Sequence, residues 1–343
     1  MLLANVPFIP ELFLSYQQEL NQAKSGFFRS GIVTENAAIS AEFEKGGRTI
    51  TIPHFNDLAG DSEILSDVIG LTAAVLGGNS QIGVRNLRGR AWQSSDLAAE
   101  LAGDDPMRAI AIRTGEYWVR DCQAVMVSIL NGLFGPAAGG GVLEPTHLAG
   151  GAGTAINAES MIDAIALLGD AGQDLAAVAM DSATYYALIK ADLIIPGTAP
   201  NIDAQIDTRV SAERAEFGTY LGRPVIVDDG LRPTGDLVGA GTGVGGGAAG
   251  GDVHTVYFFA PGAFVYSEIA PKTPVETDRD ILRGIEVLVN RKEYLLHPIG
   301  CSWIGTAAGN APANAEYAAV ANWERVFTDD RNIKITSLRG ELL

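Results

Sequence analysis

From Pro106 the chain runs PMRAIAIRTGEYWVRDCQAVMVSILNGLFGP, and no other stretch constrains the fold so strongly. Asp-Pro at 105–106 is an N-cap residue followed by a proline at the first helical position. Apolar residues then recur at Met107, Ala111, Trp118, Cys122, Val125, Ile129 and Leu133, the three-and-four spacing of one helical face. Glu116 and Arg120 lie four apart and support the same helix. The pattern stops at Gly132, Gly135 and Pro136. A helix from Pro106 to Phe134 would be about 40 Å long, more a spine for a protein than an ordinary packing element.

Shorter pieces flank it. Residues 1–43 read as an arm with one helical segment near Glu11–Gln22, opened by Pro10. RTITIP, from Arg48, alternates as a strand, and QIGV, from Gln81, reads as a second. Beyond the spine, NAESMIDAIALLGD predicts a helix capped by Asn157 and ended by Gly169. LAAVAM predicts a buried strand, DSATYYALIKAD a helix opened by Asp181, and YLGRPVIVDDG a strand closed by a turn. HTVYFFAPGAFVYSE predicts a strand pair around Pro261-Gly262, and IEVLVNRKEYLLHPIGCSWI further strands. AANWERV reads as a short helix and NIKITSL as a closing strand.

Composition bounds the function. Of 343 residues 47% are hydrophobic, which admits a real core and excludes wholesale disorder. Charged residues reach only 19% beside 41 glycines, a balance that suits a chain with much of its surface against other molecules. The formal net charge of −17 sets the chain as a whole against binding nucleic acid. Cys122 and Cys301, each in an apolar context, mark neither a disulfide framework nor a zinc site. The N-terminus lacks the basic start and cleavage site of a signal peptide, and no apolar run is long enough to cross a bilayer. These features predict a soluble protein made in a reducing cytoplasm.

Three patterns invite a chemical reading. Gly241, Gly243 and Gly246 match G-x-G-x-x-G, but more glycine and a strand follow where a nucleotide site needs a helix, so no cofactor is expected. His54, His147, His254 and His297 are too scattered for a zinc cluster, and no nucleophile elbow accompanies them. The segment IPHFNDLAGDSEILSD holds Asp57, Asp61, Glu63 and Asp67. Their spacing is not that of a calcium loop, and the polar stretch announces no pocket for an acid/base pair. Downstream, VRNLRGRAW places Arg85, Arg88 and Arg90 within six residues. Acid-rich loop and Arg-rich loop either pair, within a subunit or between subunits, or are both merely solvated.

Taken in order, five blocks are familiar: IPHFNDLAGDSEILSD; QIGVRNLRGRAWQSSDLAAELAGDDPMRAIAIRTGEYWVRDCQ; VAMDSATYYALIKADLI; TYLGRPVIVDDG; and AANWERV. Together, over roughly residues 50–327, they resemble the major capsid protein of tailed bacteriophages, of the Hong Kong 97 type. The resemblance implies an α+β fold with an N-terminal arm (1–43) and an extended β-hairpin loop (44–76). A peripheral domain (77–154) would hold the spine helix 106–134, an axial domain would span 155–252, and residues 253–343 would return to the periphery. It implies a non-enzymatic structural protein that self-assembles as hexamers and pentamers into an icosahedral shell around phage double-stranded DNA. Shell and virion would form in the host bacterial cytoplasm, with a separate scaffolding protein, a portal and a decoration protein as further partners and no membrane.

On this map Asp57, Asp61, Glu63 and Asp67 are expected at a subunit interface, with Arg85, Arg88 and Arg90 as their partners. Charge reversal at Arg88 and Arg90 is then expected to impair assembly and spare the monomer. Members that carry a scaffolding segment have a long N-terminal extension, whereas this arm leads almost at once into the fold, so no large cleavage is expected. Lys45 is the lone lysine near the extended loop and no crosslink is predicted. An encapsulin-like cellular compartment shares the implied fold, and a soluble α+β hydrolase built on a His and an Asp is the alternative of a different class.

Overall fold

The computed structural model describes residues 27, 30–56, 58, 60, 62–64, 71, 73, 75–102, 106–135, 140–194, 218–232, 253–269 and 271–342. The arm helix expected at Glu11–Gln22, the Asp105 cap and the glycine loop at 239–251 lie outside them.

In chain order the first elements are β1 (Val33–Glu35), α1 (Ala37–Glu44), β2 (Thr49–Phe55), β3 (Gly78–Ser95), α2 (Asp96–Ala102) and α3 (Pro106–Phe134). Then come α4 (Glu144–His147), β4 (Leu148–Ala155), α5 (Ala158–Ala166), β5 (Ala177–Met180), α6 (Ser182–Lys190), β6 (Thr219–Tyr220) and β7 (Arg223–Val227). The last are β8 (Val253–Phe259), β9 (Phe264–Ile269), β10 (Val275–Asp280), β11 (Ile285–Pro298), β12 (Cys301–Trp303), α7 (Asn314–Tyr317), β13 (Trp323–Arg325) and β14 (Ile335–Glu341).

The spine α3 has the bounds the sequence predicts. Trp118, Cys122, Val125, Met126, Ile129, Leu130 and Leu133 are buried along it, one stripe of the expected spacing. Gly135 follows with φ +70°, a left-handed residue that ends the helix without the steric cost a Cβ would bring. Gly132, by contrast, does not end anything. It lies inside the helix because the Tyr317 carbonyl and the Trp323 indole occupy the space a side chain would need.

Two six-stranded sheets share the spine. The first runs β1-β9-β11-β3-β2, with β10 on β11. Its 18-residue strand β3 serves two partners: Gly78–Val84 pairs antiparallel with β2 to make the expected hairpin, and Arg85–Ser95 pairs with β11. The second sheet runs β4-β14-β8-β5-β7-β6. Its inner strands are buried on both faces, and alternation along them assigns the faces. Ala177, Ala179, Tyr257 and Phe259 join the core that holds the spine. Val178, Met180, Val256 and Phe258 join a second core closed by Met161 and Leu168 on one side and Tyr185 and Leu188 of α6.

Helix caps follow the sequence closely. Asn157 accepts from Ser160 N while Ser160 Oγ accepts from Asn157 N, a capping box at α5. Asp181 caps α6.

Two expectations are corrected. The strands flanking Pro261-Gly262 do not pair with each other: β8 lies in the second sheet and β9 in the first, so this bend hands the chain from one sheet to the other. AANWERV is not a helix: a single 3-10 turn at Val320–Asn322 leads into β13, while the helix, α7, lies just before it. The Trp323 ring is then free to stack on Tyr317 (6.2 Å) and to pack edge-on against Trp303 (5.3 Å). One sheet runs across positions 154/155 and 252/253: β4, β8 and β14 lie in the same layer as β5–β7.

Candidate functional site

The arginine-rich segment forms the middle of β3, not a loop. Strand pairing sets Arg88 opposite Lys292 and Arg90 opposite Asn290 on β11. Arg85 is committed within the subunit: it pairs with Glu293, donates to the Phe43 carbonyl at 2.5 Å and lies 4.5 Å over the Phe43 ring. Arg88 is committed too. It meets Asp121 of the spine at 3.3 Å and donates to Asn314 Oδ1 at 2.6 Å and the Pro312 carbonyl at 3.4 Å. Trp118 Nε1 donates to Asn290 Oδ1 at 2.6 Å and Tyr294 OH to Asp121 Oδ2 at 3.3 Å, so spine and sheet are pinned at three points. Arg90 is exposed.

Of the four carboxylates, Glu63 is exposed. Asp57, Asp61 and Asp67 lie outside the described residues. Phe55 at the end of β2 (78% exposed) and Leu58, Ile64 (94%), Leu71 and Val75 in the connection from β2 to β3 set apolar side chains in water.

Arg90 borders a shallow cleft of about 400 Å³. Leu87, Gly89, Ala91, Val289 and Pro271 give it apolar walls, and Arg88, Arg90, Arg291 and Lys292 outnumber Glu293 among its charged groups. Lys292 meets Glu268 at 3.0 Å and Arg291 meets Glu276 at 2.5 Å. Arg88, Arg291 and Lys292 thus each face a carboxylate of their own subunit, and the cleft joins these pairs and apolar walls to the exposed Arg90. Sequence reading found its arginines but not Arg291 and Lys292, which reach the site only through the β3–β11 register.

The histidines and cysteines are structural. His254 Nδ1 meets Asp181 Oδ2 at 2.8 Å with both side chains 3% exposed, which leaves no approach for a substrate. Burial by itself would raise the Asp181 carboxyl; hydrogen bonds from His254 and Thr184 outweigh it and hold the group below its usual range. His147 Nε2 sits 3.0 Å from the Asp330 carbonyl in full burial. Burial pushes the Cys122 thiol up to about 11 and Cys301 up to about 12, so both stay protonated and unreactive. Among the described residues no group of His, Cys, Asp and Glu is arranged to hold a metal ion, and no helix is long and apolar enough to cross a membrane.

This architecture has counterparts. The capsid of Ralstonia phage GP4 is similar with a TM-score of 0.57 at 10% identity, over 91% of this chain and 87% of that one. The capsid of cyanophage Pam1 gives a TM-score of 0.56 at 11% identity, over 94% of each chain. At such identities the likeness establishes the fold, an α+β phage capsid fold of the Hong Kong 97 type. In sequence, the major capsid protein of Bacillus phage SPP1 is 36% identical over 339 residues, 97% of this chain and 96% of that one. A family model, Gp13-like (major capsid protein 13-like), matches residues 137–334. These relatives are shell proteins of phages, which decides against the hydrolase and the cellular compartment. On that combined ground, the chain belongs to the Gp13-like family of phage major capsid proteins.

Proposed function

We propose that copies of this chain assemble as hexamers and pentamers into an icosahedral head that encloses phage double-stranded DNA. The observation that carries the reading is the similarity to a phage major capsid protein along 97% of the chain, arm and loop regions included. The subunit has no catalytic part to play: it is a structural protein. Assembly takes place in the host cytoplasm, with a separate scaffolding protein and a portal as partners and a decoration protein on the outside.

Within that head the β2–β3 hairpin and its connection are the extended loop, α3 and the β3–β11 sheet form the peripheral domain, and the β4–β8 sheet with α5 and α6 forms the axial domain. Asp57, Asp61, Glu63 and Asp67 lie at the subunit interface. The cleft beside Arg90 receives the acidic, apolar loop of a neighbouring copy. Two features support this: the loop exposes Leu58 and Ile64 to water, and the cleft meets it with apolar walls and the exposed Arg90. Arg85 and Arg88 already have partners inside the subunit, which leaves Arg90 as the cation of the three best placed to meet a neighbour.

Electron microscopy of the purified protein tests the reading. Closed shells, or rings of five and six, are the expected result. A protein that remains monomeric both alone and when co-expressed with the other head proteins would overturn it.

A further inference from the structure

Beside the start of β4, four residues close a circuit of hydrogen bonds. Arg325 of β13 donates from Nη1 to Thr146 Oγ1 at 3.1 Å and from Nη2 to Asp330 Oδ1 at 2.5 Å. Thr146 Oγ1 lies 2.7 Å from His147 Nδ1, and His147 Nε2 lies 3.0 Å from the Asp330 carbonyl. The circuit joins separate parts of the subunit. Thr146 and His147 end α4 and lead into β4 of the second sheet, while Asp330 lies on the link from β13 to β14. Arg325 belongs to the β12–β13 ribbon, which is tied to β3 of the first sheet by the Ile82 N–H donating to Ser302 Oγ at 3.0 Å.

The partners fix the state of the imidazole. A carbonyl oxygen only accepts, so Nε2 carries a hydrogen and donates to Asp330. In the neutral imidazole Nδ1 is then bare, and the Thr146 hydroxyl donates to it while accepting from Arg325. A proton on Nδ1 would reverse the Thr146 bond and create a cation on a side chain that is 0% exposed, behind a hydroxyl that Arg325 already uses.

The charged groups that face the imidazole are Arg325 from β13 and the Asp330 carboxylate from the link. Glu144, on its own helix, is turned to the N–H groups of Gly140 and Gly141. Asp330 is already paired with Arg325, so one carboxylate would have to serve two cations. Burial holds His147 below its ordinary value of 6.5, an effect that Asp330 opposes and Arg325 reinforces. A histidine kept neutral by the fold stabilises it fully above about pH 6.5 and progressively less as the pH falls below that.

We propose that this circuit is a proton-sensitive clasp: closed at neutral pH, it fastens the link between β13 and β14 to α4, and a proton on His147 releases it. Because the clasp lies within one subunit, it works with or without a shell, and in acid this corner loosens before the sheets themselves give way.

Hydrogen–deuterium exchange of the purified chain at about pH 7.5 and about pH 5.5 tests the clasp. After allowance for intrinsic rates, residues 326–334 and the His147–Leu148 junction are expected to exchange about tenfold faster in acid, with the spine α3 unchanged. His147→Gln supplies a neutral amide that can still donate to the Asp330 carbonyl, and is expected to remove the acid response. Unchanged exchange over the link in the unaltered protein would overturn the clasp whether or not the variant folds. So would a response centred on Gln81 and Gly300, which meet beside His297, or a folded His147→Gln protein that still responds to acid.

Discussion

Arg88 reaches from β3 to Asp121 on the spine and to Asn314 on α7, and about a fifth of its side chain meets solvent. Arg90, two residues on, is exposed beside the cleft. The two therefore answer different experiments. Arg88→Ala leaves Asp121 half-buried without its cation and is expected to destabilise the subunit by about 1–3 kcal/mol, seen as a lower denaturant midpoint before any assembly. Arg90→Glu is expected to leave that midpoint within about 0.5 kcal/mol and to reduce shell yield; shells at the normal yield would remove Arg90 from the interface. Reversing both arginines together, the test the sequence suggests, would confuse the two effects. Local chemistry was legible at this scale and distant chemistry was not. Asn157 and Asp181 announce their helices because a cap acts on the backbone three residues away. Asp121 stands 33 residues from Arg88 on a different element, and no local pattern relates them.

Along the spine, periodicity was strong enough to give both ends of α3, since a 29-residue amphipathic repeat has few other ways to bury its stripe. The reading of Gly132 as a terminator failed for a reason outside the helix: its neighbours are Tyr317 and Trp323, brought in by α7 and β13. Trp323 Nε1 donates to the Tyr317 carbonyl at 2.8 Å, so this corner is fixed by its own hydrogen bond and cannot easily give way. Gly132→Ala, which in an exposed helix would be favourable by about 1 kcal/mol, is here expected to destabilise by about 1–3 kcal/mol or more. Thermal melts of the variant check the sign; a stabilised protein would show that α7 and β13 do not press on the spine. Short apolar runs were harder to place. The strands either side of Pro261-Gly262 read as a hairpin, yet they part into different sheets because each finds a longer partner, β14 for β8 and β11 for β9.

At the scale of the whole subunit, a net charge of −17 fits a container that must not adhere to its contents. Mixed with double-stranded DNA fragments at low salt, where any electrostatic attachment would be strongest, the protein is expected to leave their electrophoretic mobility unchanged. A salt-sensitive shift would show that a locally cationic surface, such as that around the exposed Arg90, overrides the total. The make-up of the second sheet was the least legible part. A division by sequence assumes that each layer is built from neighbouring residues, whereas the second sheet draws on residues 148–155, 177–180, 219–220, 223–227, 253–259 and 335–341.

That last segment has a consequence for how copies are made. β14 lies between β4 and β8, pairing residues 335–341 with strands that precede it by many tens of positions. A ribosome that stalls anywhere short of residue 335 releases a chain with two open strand edges in the middle of a layer and no spine core closed by Ile335. A copy without β14 therefore lacks both the middle strand of one layer and a side chain of the spine core, and is expected not to reach the native fold.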